Sequence, residues 1–468
     1  MGAWHFIFSH KDAEAAAFFC LFASLRELRQ PAVSEPLSLL GLQTLSLFDK
    51  FPILRSVLRR FQLNLSDKNV LVIGGGVAGL SAALELAELN VGVTLLEKTD
   101  FLGGHAIQFA CKAANKKCVK CGACVAEDKL RQVLAHPNIR ILLRSHLQKL
   151  SENGRFSADI QASPMFINPE KCTGCGICLE TCPVEGGICR GYSKSNLPFY
   201  GVSEENCRYM KDKSCTLCQD ACPENAILLD VQETQYVCEA DAVILASGFQ
   251  AFDPTDKPYG YDIFENVITN LELERMLRQE SLVRRPSDKS PPERIAFIQC
   301  VGSRDATLGH LWCSKVCCAS ALRMARLIQS RKADTEISFF FIDVQTFGRD
   351  FPIFYSEAQK NIRMVRSIPG DIFKTEDDRL RLTLYDHTTC ESREDIFDLA
   401  VLSVGITPRE DTEAIADIFS LELADSGFIS PGQDGIFVAG TALGPMGIAE
   451  AAANAGHVAW KTLQYITQ

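Results

Sequence analysis

Two runs of four cysteines between residues 172 and 222 have the spacing of iron–sulfur ligands. The first, Cys172, Cys175, Cys178 and Cys182, reads C-x2-C-x2-C-x3-C and is followed by Pro183. The second is Cys207, Cys215, Cys218 and Cys222, followed by Pro223. Seven residues separate Cys207 from Cys215 where two are usual, which predicts a small loop there. Three thiolates on one tight turn can each reach a corner of a cubane [4Fe–4S] cluster, while the fourth, ahead of proline, is turned away. Where two such runs share a chain, that fourth cysteine ligates the other cluster. One predicted cluster therefore takes Cys172, Cys175, Cys178 and Cys222, and the other takes Cys207, Cys215, Cys218 and Cys182. A pair of structural zinc sites is the competing reading, and the two matching Cys-Pro endings speak against it.

Two further sets could hold metal. Cys111, Cys118, Cys121 and Cys124 supply four thiols within 14 residues, among Lys112, Lys116, Lys117 and Lys120. Lysines beside thiols favour the thiolate and offset the charge of a ligated cluster. A third cubane and a structural zinc are both open here. Cys300, Cys313, Cys317 and Cys318 gather where a strand at 294–299 runs into a loop that opens a helix at 319–329. Adjacent cysteines pair poorly with one another as disulfides, so ligation of a fourth cluster is preferred to a redox pair. These four sets use 16 of the 20 cysteines. Cys20, Cys189, Cys238 and Cys390 stand apart and read as small buried apolar residues.

The elements that must position this chemistry begin with a βαβ unit: a strand at 70–73, a helix at 80–89 and a strand at 91–96. Between strand and helix lies Gly74-Gly75-Gly76-Val77-Ala78-Gly79, and Glu97, beside Lys98, closes the second strand. A lone G-x-G-x-x-G is weak, but this one follows a strand, opens a helix and meets an acidic residue 18 positions after Gly79. Gly74 permits the tight turn, Gly76 lets backbone approach a pyrophosphate, and Gly79 lets helix and strand pack closely. The helix N-terminus supplies the anion site, and Glu97 would bind ribose hydroxyls. FAD or NAD would satisfy this unit. Three later features favour FAD: the loop Gly103-Gly104-His105, the strand ending in Ala246-Ser247-Gly248, and the 434–441 stretch ending in Gly440-Thr441. A helix opening at Gly447 and Ile448 would point its N-terminus at the flavin. Thr441 stands where an aspartate is common, which puts the ribityl contact in question and leaves the cofactor reading intact.

With 468 residues, the chain can build two or three domains around a substantial core. A net charge of −10, with no basic run interleaved with aromatics, argues against a nucleic-acid partner. Cysteines at ligand spacings imply a reducing, cytoplasmic compartment. The apolar stretch at 15–25 is too short to span a bilayer and lacks the flanks of a signal peptide. In residues 1–66, helical patterns at 13–30 and 45–61 predict a helical N-terminal extension packed on its own body or a partner. Arg55, Arg59 and Arg60 leave a membrane-surface helix as the alternative, peripheral contact being expected only through this segment.

Several stretches together resemble the FAD-bearing iron–sulfur subunit of heterodisulfide reductase, its A component. They are Gly103-Gly104-His105, Phe-Ile-Gln-Cys-Val-Gly-Ser-Arg-Asp at 297–305, Cys-Ser-Lys-Val-Cys-Cys at 313–318, Phe-Ile-Asp-Val-Gln-Thr-Phe-Gly at 341–348, and the two-run insert. The resemblance runs from about Asn69 to the C-terminus. It implies an α/β fold: a thioredoxin-reductase-like FAD-binding Rossmann body, a second nucleotide-binding-like domain, and an inserted two-cluster bacterial-ferredoxin domain. The implied division is an extension at 1–66, flavin-domain parts at 67–160, 231–290 and 396–468, the ferredoxin insert at 161–230, and the second domain at 291–395. It also implies that Cys300, Cys313, Cys317 and Cys318 hold a cluster near the flavin. The family pairs a single C-x2-C, matching Cys121 and Cys124; Cys111 and Cys118 are additional here and are expected to replace ligands that the family carries in an N-terminal domain. Arg323 stands where the family is expected to place a lysine near the flavin, and arginine is a poor proton switch.

The expected function is an FAD- and [4Fe–4S]-containing oxidoreductase subunit that splits or merges electron pairs at flavin. Its partners would be other subunits of a disulfide-reductase-, hydrogenase- or quinone-linked complex, with a homodimer also open. The alternatives are a stand-alone NAD(P)H-dependent iron–sulfur flavoprotein and a membrane-recruited quinone-linked relay. No catalytic acid, base or nucleophile stands out.

Overall fold

The computed structural model describes residues 65–468 apart from 116, 197, 346–350, 387–389 and 433. The helical readings at 13–30 and 45–61, and the end of the 341–348 motif, lie outside the described residues.

The chain enters through β1 (Asn69–Ile73), α1 (Val77–Ala87) and β2 (Gly92–Leu96), close to the predicted βαβ unit. A cysteine-bearing loop leads to α2 (Ala123–Leu134) and β3 (Ile139–Leu142). After a long excursion come β4 (Ala242–Leu245), β5 (Val267–Thr269), α3 (Asn270–Gln279) and β6 (Arg294–Val301). Next are α4 (Cys317–Arg331), β7 (Glu336–Phe340), β8 (Arg363–Val365) and β9 (Leu399–Val404). β10 (Ile436–Val438) and α5 (Ile448–Ile466) complete the fold.

Two five-stranded sheets result, each parallel throughout. The first runs β10-β4-β1-β2-β3 and the second β5-β9-β6-β7-β8. Parallel sheets bury both faces, which explains the continuous apolar runs of β1 and β4. α1 is apolar almost all round because sheet, α2 and α5 enclose it. On α5, Ala451, Ala455, Val458, Ala459, Thr462, Leu463 and Ile466 recur at helical spacing and pack inward. The second sheet reaches beyond 291–395, since β5 and β9 both belong to it. β5 is only three residues long, too short for its own periodicity to reveal which sheet it joins.

The excursion leaves from Phe156–Ala162 and returns through Thr234–Ala240, paired antiparallel neighbours with Ala162 opposite Thr234. An insert with adjacent entry and exit leaves the host sheet undisturbed. Its neck is closed a second time by Asn168 N–H donating to Ala226 O (2.8 Å) and Leu228 N–H to Phe166 O (2.8 Å). Inside, Phe166, Ile167, Ile188, Tyr200, Val202, Ile227 and Leu229 form a small core around the cysteines. The predicted loop between Cys207 and Cys215 contains one helical turn, Arg208–Asp212.

Candidate functional site

The C-terminal ends of β1, β2 and β4 open into a cavity of about 1470 Å³, the crevice in which open parallel sheets bind ligands. A Cβ on Gly74, whose φ is +106°, would lie 2.3 Å from Ala246 O, and one on Gly79 only 1.8 Å from Gly74 O. Backbone contact thus demands glycine at both positions. At Gly76 a Cβ would meet nothing within 4 Å. That open place on the cavity wall is where α1 offers its first N–H groups to an anion. Buried Glu97 accepts hydrogen bonds from Gly75 N–H (2.8 Å), Thr99 N–H (2.9 Å) and the Thr99 hydroxyl (2.9 Å). A carboxylate offers about four acceptor positions, so one remains for a ribose hydroxyl while the others fasten the glycine turn to β2. Such a cradle fits a flavin dinucleotide.

Val77, Ala78, Lys98, Gly104, His105, Ala246, Ser247, Gly248, Thr441, Gly447 and Ile448 also line the cavity, whereas Gly79, Gly103 and Gly440 do not. Gly440 N–H instead donates to Asn454 Oδ1 (2.7 Å), tying the β10 turn to α5. His105 stacks on Phe249 with ring centroids 4.4 Å apart, and its burial lowers its pKa from 6.5. Sequence reasoning misses Arg409, Asp411 and the pair Lys112–Glu274, all on the same wall. Asp411 holds Arg409, and Lys98, its pKa lowered by burial and then by Arg409, lies 3.9 Å from Asp411. The pairs Lys98–Asp411 and Lys112–Glu274 have no local signal, because in each the partner arrives from distant sequence.

In the insert, Cys178 faces Cys172, Cys218 and Cys175, while Cys218 faces Cys207, Cys182 and Cys215. Burial, with these neighbours adding to it, pushes both thiols up to about 11. Each run thus has a thiol of the other beside it, Cys218 near Cys178 and Cys182 near Cys218. Cys222 lies in the same core, its Sγ accepting from Ala226 N–H at 3.3 Å. Such N–H···S bonds are a known lever on cluster potential, and matching ones run from Lys120 to Cys118 (3.4 Å) and Lys315 to Cys313 (3.3 Å). Among the described residues, no three Cys, His, Asp or Glu side chains converge on a single ion position.

The third set is less gathered. Cys111, Cys118 and Cys124 are exposed and Cys121 is half-buried, with Cys118 and Cys121 on the cavity wall. Arg323 of α4 reaches this loop, donating to Val119 O at 3.2 Å. The fourth set is compact. Cys300 lies near the end of β6, Cys317 and Cys318 open α4, and Cys313 stands between them in sequence. Cys317 faces Cys318, Cys300 and Cys313; burial raises its pKa, and raises that of Cys300 to about 12. Cys300 (φ 61°), Arg304 (φ 54°) and Lys315 (φ 62°) all adopt left-handed backbone here. Strain of this kind, of order 1–3 kcal/mol per residue, persists where surroundings over-determine it. This strand–turn–helix is where a second dinucleotide would bind, and cysteines occupy it instead.

Comparison with known proteins matches residues 69–135 to the FAD dependent oxidoreductase family and residues 117–186 to the 4Fe-4S dicluster domain family. The second match takes in Cys118, Cys121, Cys124 and the first run, and stops before the second run. The A subunit of the H(2):CoB-CoM heterodisulfide,ferredoxin reductase from Methanothermobacter marburgensis is 34% identical over 420 residues. The match covers 84% of this chain and 63% of that protein. The iron-sulfur A subunit of the CoB--CoM heterodisulfide reductase from Methanocaldococcus jannaschii is also 34% identical, across 83% of this chain and 63% of its own length. The chain thus spans somewhat under two thirds of these relatives. Among solved structures, the thioredoxin reductase of T. acidophilum has a TM-score of 0.48 at 12% identity, covering 86% of this chain and 100% of that one. Among the described residues, no helix is long and apolar enough to cross a membrane.

Proposed function

We infer that this chain, 34% identical over 420 residues to a heterodisulfide reductase A subunit, serves as an FAD- and [4Fe–4S]-bearing electron-transfer subunit of a larger redox complex. Bound FAD would exchange electron pairs and the clusters single electrons. One observation carries this reading: a single cavity wall joins the flavin-type cradle, two thiols of the third set, and Lys315 and Val316 beside the fourth. The chain's own residues supply the anion site at α1, the anchored turn at Glu97 and buried thiol pockets that exclude water. Partners would be disulfide-reductase-, hydrogenase- or quinone-linked subunits in a reducing cytoplasm. The test is anaerobic purification from the native host with FAD, iron and co-purifying subunits quantified. Recovery with cysteine-rich redox subunits supports the relay. A lone protein whose flavin is bleached by NAD(P)H would overturn it, an outcome that the cysteine-filled turn after β6 speaks against.

A further inference from the structure

Lys112 and Glu274 form an ion pair on the wall of the flavin-type cavity, and both are buried, at 3% and 1% exposure. Lys112 comes from the third cysteine loop and Glu274 from α3, 162 positions later. The carboxylate also accepts from Ala110 N–H (3.1 Å) and the Ser320 hydroxyl of α4 (3.3 Å), and Lys112 Nζ lies 5.1 Å over the Phe109 ring. A buried ion pair contributes little net stability against an apolar pair of similar size. Its presence on a cofactor wall therefore asks for another role.

An ammonium in a low-dielectric wall acts strongly on any charge nearby. Reduction adds negative charge to flavin and to clusters, so an unmasked cation would favour the reduced forms and raise their potentials. Glu274 cancels that field while its other two bonds hold loop and helix in place.

We propose that Glu274 is a positioning and charge-masking residue: it neutralises Lys112 and so keeps the flavin of this cavity at low potential. This rests on the cavity being the flavin site. The FAD content of the wild-type chain tests that assignment separately.

The experiment is spectroelectrochemical titration of the full-length holoprotein, comparing wild type, Glu274→Gln, and Lys112→Met with Glu274→Gln combined. E274Q keeps the size of the side chain and leaves Lys112 unmasked. It is expected to shift the flavin reduction equilibrium at least tenfold toward the reduced form, about 30 mV for the two-electron couple. The double variant removes both charges and is expected to return to within about threefold of wild type, or about 14 mV by the same constant. An unshifted potential in flavin-loaded E274Q overturns the proposal, as does a double variant that stays with E274Q. If E274Q alone fails to hold FAD, the double variant decides. Recovery of FAD at the wild-type potential upholds charge masking. Failure there assigns the pair to construction of the fold.

Discussion

Two glycines of one turn answer to different forces, and substitution separates them. Gly79→Ala would drive a methyl into Gly74 O, so a stability loss of about 1–3 kcal/mol is expected from overpacking. Gly76→Val points into open cavity: the fold should survive, while FAD affinity falls at least tenfold, roughly 1.4 kcal/mol. Thermal denaturation beside FAD titration reads both. If G76V binds FAD normally, the anion site is not at α1. His105 adds a pH dependence. Because burial lowers its pKa from 6.5, the unfolded chain binds a proton that the fold resists. Its contribution is whole above about pH 6.5 and is lost as pH falls through the lowered value. His105→Gln should flatten the fall in stability between about pH 7 and 5, by at most about 1.4 kcal/mol per pH unit. An unchanged slope under anaerobic melting would assign that fall to another group. At this scale the glycine and cysteine spacings were legible because turn sterics and ligand geometry are local. Sequence alone makes Lys112 a counter-charge for neighbouring thiols, but its partner is Glu274, which nothing local announces.

At the scale of elements, α3 acts as a clasp. Glu274 holds the cysteine loop, Arg275 Nε donates to Gln108 Oε1 (3.0 Å), and Arg278 donates to Phe109 O (2.8 Å) and Tyr192 O (2.5 Å). One helix packed against the second sheet thus grips both the cysteine-bearing loop and the insert. The Thr269–Glu272 capping box fixes where that helix starts. Arg278→Ala removes two charge-assisted bonds, both solvent-exposed, so the loss of overall stability should stay within about 1 kcal/mol. The expected result is faster hydrogen exchange around Tyr192 and Phe109, with the first sheet unaffected. Unchanged exchange at Tyr192 would mean the clasp is closed by other contacts. Strands β1, β2, β4 and β6 were readable as apolar runs. The clasp was not, because α3 carries an ordinary amphipathic pattern and its grip is made by long polar side chains across domains.

At the scale of the whole molecule, the insert is a wiring block whose two halves are expected to exchange ligands. The exchange of the cysteine ahead of each proline between the clusters, with Cys182 beside Cys218, predicts that Cys182→Ser damages the cluster of the second run, and Cys222→Ser that of the first. Each variant should lose about half of the insert's iron, and electron paramagnetic resonance should show which centre remains. Loss of the first run's own cluster in C182S would show that each run keeps its own ligands. The return of the chain to the first sheet was legible from the strands at 241–248 and 434–441, which pair there as β4 and β10, while the place of β5 in the second sheet was not, since a three-residue strand carries no period.

The late position of β10 and α5 has a consequence for synthesis. On the ribosome, residues 166–228 can close their neck and gather both cysteine runs while the first sheet still lacks its β10 edge and the helix that covers α1. At about 5–20 residues per second, the interval between Cys222 and Ile448 emerging is on the order of 10–50 s. The nascent chain is therefore ready for iron and sulfide well before it can enclose a flavin, and assembly in the cell should follow that order.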